Sequence, residues 1–226
     1  MKSKKIMVLF SCATLLIACF AMPMTASASS YDRALAVENA REWVDGYTGI
    51  DWYTMDSDCT NFVSTCEAYA GVVSVVPNTI PVTSNIFRDW CLDESTDTWY
   101  MVKMNNDRLI GPDICWTYSS SWAFVSDFRE YFSGSEYANS NAIASVSQYS
   151  ISNATNISTL CSKLKAGDVI QYGNSGHSAI ITKTGTSKSS VKYCGHSDPR
   201  SDEPLSTFIS GCQARGSNSV YVIHFS

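Results

Sequence analysis

Cys59 is the residue whose type and setting most plainly permit covalent chemistry. It lies in Asp58-Cys59-Thr60-Asn61-Phe62-Val63-Ser64, at the predicted first turn of an amphipathic helix. Unpaired backbone N–H groups and the positive end of the helix dipole gather at such a place. Both favour thiolate over thiol, which lowers the pKa and raises nucleophilicity at neutral pH. The same N–H groups could stabilise an oxyanion formed on an attacked carbonyl. The competing use of such a cysteine is as half of a disulfide, and a partner base is needed to choose between the two.

The sequence holds three histidines. His177 follows Asn174-Ser175-Gly176 and opens the β-favouring run Ser178-Ala179-Ile180-Ile181-Thr182, so it should stand at the mouth of a strand. His196 lies just past the next such run, in Tyr193-Cys194-Gly195-His196-Ser197-Asp198. If the two runs form a hairpin, both histidines reach the same end of the sheet. Cys59, His177 and His196 can then act as nucleophile, base and orienter, with Asp198 or Asn174 as alternative orienters. Tyr53 is a candidate second donor to the oxyanion beside the Cys59 N–H, and His224 reads as structural. The pattern argues against zinc, since there is no Cys-x-x-Cys, His-x-x-x-His or His-Glu pair. It also lacks the Gly-x-Ser-x-Gly elbow of a serine hydrolase.

The elements needed to position these residues can be read in outline. Ala34, Val37, Ala40 and Trp43 recur at helical spacing, predicting a helix from Tyr31 to about Tyr47 with Ser30 as its cap. Phe62, Val63, Cys66, Tyr69 and Ala70 form one apolar face of a second helix over Thr60 to Ala70, stopped by Gly71. Val72 to Ser121 reads mostly as loop, broken by Pro77, Pro81 and Pro112. A short helix is expected over Ser121 to Tyr131, and a Ser/Asn-rich loop or weak helix over Ser133 to Ser158. Val169–Tyr172, Ser178–Thr182, Ser190–Cys194 and Val220–Phe225 are short β-favouring runs. Helices first and then a small, mostly antiparallel sheet make an α+β fold.

The chain opens on Lys2, Lys4 and Lys5, an apolar run from Ile6 to Phe20, and Ala26-Ser27-Ala28. That is the form of an export signal over residues 1–28, leaving one domain over 29–226. Leu16-Ile17-Ala18-Cys19 offers a second reading, a lipid anchor on Cys19. Losing the three lysines takes the formal charge from −5 to −8, which argues against nucleic acid and anionic surfaces as partners. Of nine cysteines, seven lie beyond the leader: Cys59, Cys66, Cys91, Cys115, Cys161, Cys194 and Cys212. An odd number in an oxidising compartment predicts at least one free thiol, with Cys91–Cys115 and Cys194–Cys212 as the preferred bridges.

Several of these segments, in this order, resemble the putative amidase domain family of bacterial secreted proteins. That family is related to the CHAP-type amidohydrolases of the papain-like cysteine hydrolase superfamily. The resemblance runs from Tyr31-Asp32-Arg33 through Asp58-Cys59-Thr60-Asn61-Phe62-Val63-Ser64 to Ser119-Ser120-Ser121-Trp122 with Phe128-Arg129. It closes with Leu164-Lys165-Ala166-Gly167-Asp168-Val169-Ile170-Gln171-Tyr172, Gly176-His177-Ser178-Ala179-Ile180 and His196-Ser197-Asp198. It implies a papain-like fold, N-terminal helices packed on an antiparallel sheet. It implies a Cys–His dyad completed by a polar residue on the following strand, here Cys59, His177 and His196, cutting amide bonds without metal or cofactor. The expected substrate is bacterial cell-wall peptidoglycan or a peptide, and the expected state is a secreted or wall-associated monomer. The density of cysteines departs from the family pattern. So does the Val72–Tyr118 segment, whose Trp90, Trp99 and Trp116 could line a substrate site or fill a secondary core.

Overall fold

Asp32 starts the first helix, its side chain accepting hydrogen bonds from the N–H groups of Ala34 (2.9 Å) and Leu35 (3.1 Å). The computed structural model describes residues 31–81, 88–105, 114–134, 144–173 and 176–226. The expected leader with Cys19, the expected cap Ser30, and Asn174 lie outside them. Helix α1 (Arg33–Trp43) buries Val37, Ala40 and Trp43 of the predicted face, whereas Ala34 is exposed and Ala36 is buried in its place. Helix α2 (Cys59–Tyr69) is enclosed on more sides than its apolar stripe suggested. Thr60, Asn61, Ser64 and Thr65 are fully buried as well. Such burial is tolerable only if each polar group finds a partner. Ser64 Oγ donates to the Trp122 carbonyl (2.9 Å) and Thr65 Oγ1 to that of Asn61 (2.7 Å).

The expected loop from Val72 to Ser121 holds a three-stranded sheet. Strands β1 (Trp90–Asp93), β2 (Met101–Asn105) and β3 (Ile114–Ser119) lie in the order β1-β3-β2, with β1 parallel and β2 antiparallel to β3. The expected single short helix is two, α3 (Ser120–Ala123) and α4 (Val125–Ser133). The Ser/Asn-rich stretch contains β4 (Ala144–Ser150), and α5 (Ala154–Lys163), capped by Asn153, follows it. Strands β5 (Val169–Tyr172), β6 (His177–Lys183), β7 (Lys192–Gly195) and β9 (Ser219–Phe225) match the four predicted runs; β8 (Arg200–Pro204) and helix α6 (Leu205–Ala214) lie between β7 and β9.

The six later strands form one antiparallel sheet in the order β4-β9-β5-β6-β7-β8. Period-two alternation divides its side chains between two cores. Val169, Ile180, Cys194, Ile223 and Phe225 face α1, α2, α4 and the small sheet. Ile170, Tyr172, Ala179, Ile181, Tyr193 and Val222 face α5 and α6. The result is an α+β fold with the large sheet covered on both sides. Trp99 is fully buried against Trp122, ring centroids 4.6 Å apart, and Trp116 is buried against Trp52, so both fill core.

All seven described cysteines are free thiols, and neither expected bridge is present. Cys194 lies in the core on the α2 side of the sheet and Cys212 in the core on the α6 side, so the sheet separates them. Cys91 pairs in register with Thr117 and not with Cys115. A diagonal offset of two residues on neighbouring strands places the Cα atoms about 7–8 Å apart, beyond the usual reach of a disulfide. An unpaired state therefore does not single out Cys59.

Candidate active site

Residues 176–177 and 195–197 meet the start of α2 at one end of the large sheet. Cys59 is the first residue of α2 and is 9 % exposed. Its Sγ lies 3.8 Å from Thr60 Oγ1. Asp58, at the N-cap, makes no side-chain cap, and among the described residues no acceptor meets the Cys59 or Thr60 N–H. Two donors are thus left open beside the thiol. Thr60 is held from the other side, with its hydroxyl 3.1 Å from that of Ser178, which also accepts from Gln171 Nε2 (3.0 Å).

β6 and β7 are antiparallel neighbours, with Ile180 opposite Cys194. Both histidines therefore reach the same end of the sheet, as the hairpin argument required. They do not share a face. Strand alternation sends Ser178 toward α2, and His177 toward α6, where its ring meets Tyr172 (6.2 Å) and Phe208 (6.0 Å). His196 has the parity of Cys194 and turns to α2, against Phe62 (5.2 Å) and edge-on to Tyr47 (5.5 Å).

His196 is buried, and its Nδ1 is bonded to the Asp58 carboxylate. The same carboxylate accepts from Tyr47 Oη, the Met55 N–H and Asn61 Nδ2, each at 2.7 Å. An ionised carboxylate can only accept, so Nδ1 carries the proton. Burial and the adjacent Asp58 charge push the Tyr47 phenol far above its ordinary range, so it stays a donor. Ser197 Oγ accepts from the Asp58 N–H at 2.7 Å, with Ser197 held in the left-handed region (φ 76°). Among the described residues no hydrogen bond joins His196 to His177. The expected orienter is instead a strap on the residue that precedes Cys59.

His177 lies at the strand mouth, where two clefts open. One, of about 610 Å³, is lined by Cys59, Thr60, Phe124, Asp127, His177 and Arg215 among others. The second, of about 360 Å³, runs from His177 past Tyr193, Arg200 and Phe208 and again includes Arg215. Cys59 and His177 share a cleft wall but are not hydrogen-bonded. Burial, aided by the charges of Arg215 and Arg200, pulls the His177 pKa down to about 4, against the opposing pull of Asp198. The ring is therefore neutral at pH 7, as a base must be before it takes a proton.

Two glycines make room for this histidine. A Cβ on Gly195 would stand 3.1 Å from His177 Nε2, and one on Gly176 only 1.8 Å from the Tyr172 carbonyl oxygen.

Tyr53 does not line the thiol cleft. Its ring is stacked on Trp116 (6.4 Å) and Tyr118 (6.5 Å) of the small sheet, and its carbonyl accepts from Asn61 Nδ2 (2.8 Å). Asp198 is paired with Arg200. His224 Nδ1 lies 2.8 Å from Asp168, which also binds Arg33 at 2.7 Å, tying α1 to the sheet far from the thiol. The sequence reading missed Asp58, Asn61, Tyr47, Ser197 and Arg215. The Asp58-x-x-Asn61 spacing, which puts both side chains on one turn, was the available signal for the first two. Among the described residues no group of three or more His, Cys, Asp or Glu is placed to hold a metal ion.

No curated protein and no solved structure matches the chain. A family model does, over residues 30–222, and its description names the activity class, cleavage of amide bonds. By that match, which spans most of the sequence, the chain belongs to the putative amidase domain family.

Proposed function

We propose that this amidase is a secreted cysteine hydrolase of the papain-like, CHAP-related type, acting on amide bonds of bacterial peptidoglycan as a monomer without cofactor. The observation that carries the reading is the single cleft lined by a free thiol at an uncapped helix start and by a neutral imidazole. The reading of residues 1–28 as an export signal supports the location. The wall as substrate rests on the resemblance to secreted bacterial amidases.

Substrate seated in the cleft brings the Cys59 thiol and the His177 ring into contact. His177 takes the thiol proton as the sulfur attacks the amide carbonyl. The Cys59 and Thr60 N–H groups receive the oxyanion in place of the Tyr53 donor first considered. The tetrahedral intermediate collapses as His177 protonates the leaving amine, giving a thioester. His177 then takes a proton from water, hydroxide adds to the thioester, and the acid departs as the thiol regains its proton. His196 is a positioning residue in this scheme, acting on Cys59 through Asp58.

The test is amine release from muropeptides by wild type and by Cys59→Ala. We expect a loss of at least about a thousandfold with unchanged unfolding, and Cys59→Ala at wild-type rate would end the proposal. A parallel panel of protein substrates distinguishes a wall amidase from a thiol peptidase or acyltransferase. One observation favours a non-catalytic binding module, the absent bond between Cys59 and His177. That reading predicts no turnover of any amide.

A further inference from the structure

Arg215 lies at the junction of the two clefts, on the lining of each beside His177. It is the C-cap residue of α6, and its guanidinium stands 5.7 Å from the centre of the Tyr172 ring. Among the described residues no carboxylate pairs with it. The nearby Arg200 differs in this respect, being bonded to Asp198. Two other arginines also have acidic partners, Arg33 with Asp168 and Arg41 with Asp202. In a chain with formal charge −5, a cation left without a counter-ion at the reactive end of a cleft stands out. Among the described residues the carboxylate on the thiol cleft, Asp127, belongs to α4 and is bonded by Ser126 Oγ at 2.8 Å, and that on the second cleft, Asp198, is the one paired with Arg200. The effect of Arg215 is already felt in the site, since its charge helps hold the His177 ring neutral.

A planar guanidinium presents a fork of donors that matches a carboxylate with two parallel bonds. Exposed at a helix end with the Tyr172 ring beside it, it could read such a group without first breaking an internal ion pair. We infer that Arg215 forms an anion subsite, and that the substrate carries a carboxylate close to the amide that is cut. This inference rests on the proposed role of Cys59 and narrows the substrate class.

Two alkylating reagents test it independently of any substrate. Iodoacetate and iodoacetamide deliver the same carbon to a thiolate, one with a carboxylate and one with a neutral amide. Rates are read at the Cys59 peptide by mass spectrometry on the full chain and divided by those of free cysteine. Any change in the His177 proton affinity alters both rates alike and cancels in their ratio.

We expect wild type to favour iodoacetate by about fivefold or more, the worth of one charge-assisted contact, although the acidic chain as a whole disfavours anions. Arg215→Gln should bring the ratio to one or below, and Arg215→Lys should keep part of it. Arg200→Gln should keep most of it. A wild-type ratio of one or below, or equal losses in the two glutamine variants, would overturn the subsite while leaving the nucleophile assignment in place. A Cys59 that takes up neither reagent overturns the nucleophile assignment and the subsite together.

Discussion

At the end of strands β6 and β7 two histidines stand nearly level, yet on opposite faces of one sheet, in opposite kinds of surroundings. On the α2 face, His196 belongs to a closed polar network in which the Asp58 carboxylate receives Tyr47, Met55, Asn61 and His196 at once. On the α6 face, the His177 imidazole makes no hydrogen bond among the described residues, borders two clefts and has an unpaired cation beside it. A buried polar network is stable only when every member is satisfied. Groups free to change partners are needed where bonds are to be made and broken. The contrast suits His196 to holding the start of α2 and, in the mechanism proposed above, His177 to proton transfer.

The sharpest way to break this comparison is to remove one member from each side. Asp58→Ala strands four donors, one of them on a buried histidine, and should cost about 3–5 kcal/mol in urea unfolding. His177→Ala should change stability by no more than about 1 kcal/mol while abolishing turnover. Equal destabilisation by the two variants would mean that both faces are structural.

Next in size is Gly176→Ala. The added methyl carbon would fall 1.8 Å from the Tyr172 carbonyl oxygen, and backbone cannot yield as a flexible side chain can. The β5–β6 turn must shift, at about 2–3 kcal/mol, and His177, the next residue, shifts with it. Unfolding midpoints and amidase rate should fall together. A variant with wild-type stability and activity would show that the turn does not position the base.

How much of this was legible in the sequence depends on the range of the interaction. Cys59 at a helix start and the β6–β7 hairpin are local features, and both were readable. The facing of the two histidines was not. It follows from Ile180 pairing with Cys194, and a slip of one residue would reverse it. The small sheet was obscured by Pro77, Pro81 and Pro112, although Ile114-Cys115-Trp116-Thr117-Tyr118 carries the β-branched and aromatic residues of a strand. Helix α6 was lost among the strands, with Pro204 at its N-cap and Gly211 inside it. Arg215 was lost with the helix. The expected bridges failed because cysteine spacing along a chain records neither the side of a sheet a thiol faces, which separates Cys194 from Cys212, nor strand register, which sets Cys91 opposite Thr117 instead of Cys115.

Acid titration compares the two faces more finely. The His177 pKa falls from 6.5 to about 4 on folding, mainly through burial. The unfolded chain therefore binds the proton first as pH drops. The contribution of this group to stability is complete above pH 6.5 and is lost between pH 6.5 and 4, with a slope of at most about 1.4 kcal/mol per pH unit. Wild type minus His177→Gln, followed by urea unfolding across that window, should show this slope. The acid limb of kcat/KM should likewise lie well below the ordinary histidine range.

A second titration has the opposite sign and lies deeper on the α2 side. Glu67 is fully buried on α2, and neither of its carboxyl oxygens accepts a well-formed hydrogen bond among the described residues, because the nearby Tyr31 hydroxyl donates to the Gly167 carbonyl (2.9 Å). Burial pushes its pKa from 4.5 up to about 8, against the opposing pulls of the Tyr31 hydroxyl and of Arg33, so at pH 7 the folded protein holds it mainly as the neutral acid. Here the unfolded chain loses its proton first as pH rises. The stabilising contribution is complete below pH 4.5 and is eroded between pH 4.5 and 8. Glu67→Gln keeps the shape and cannot ionise, so it should gain on wild type steadily across that window while leaving the acid limb governed by His177 unmoved. A difference between the two proteins that stayed flat from pH 4.5 to 8 would mean that the carboxylate is accommodated in its charged form. The α2 side would then be less closed than the network around Asp58 suggests.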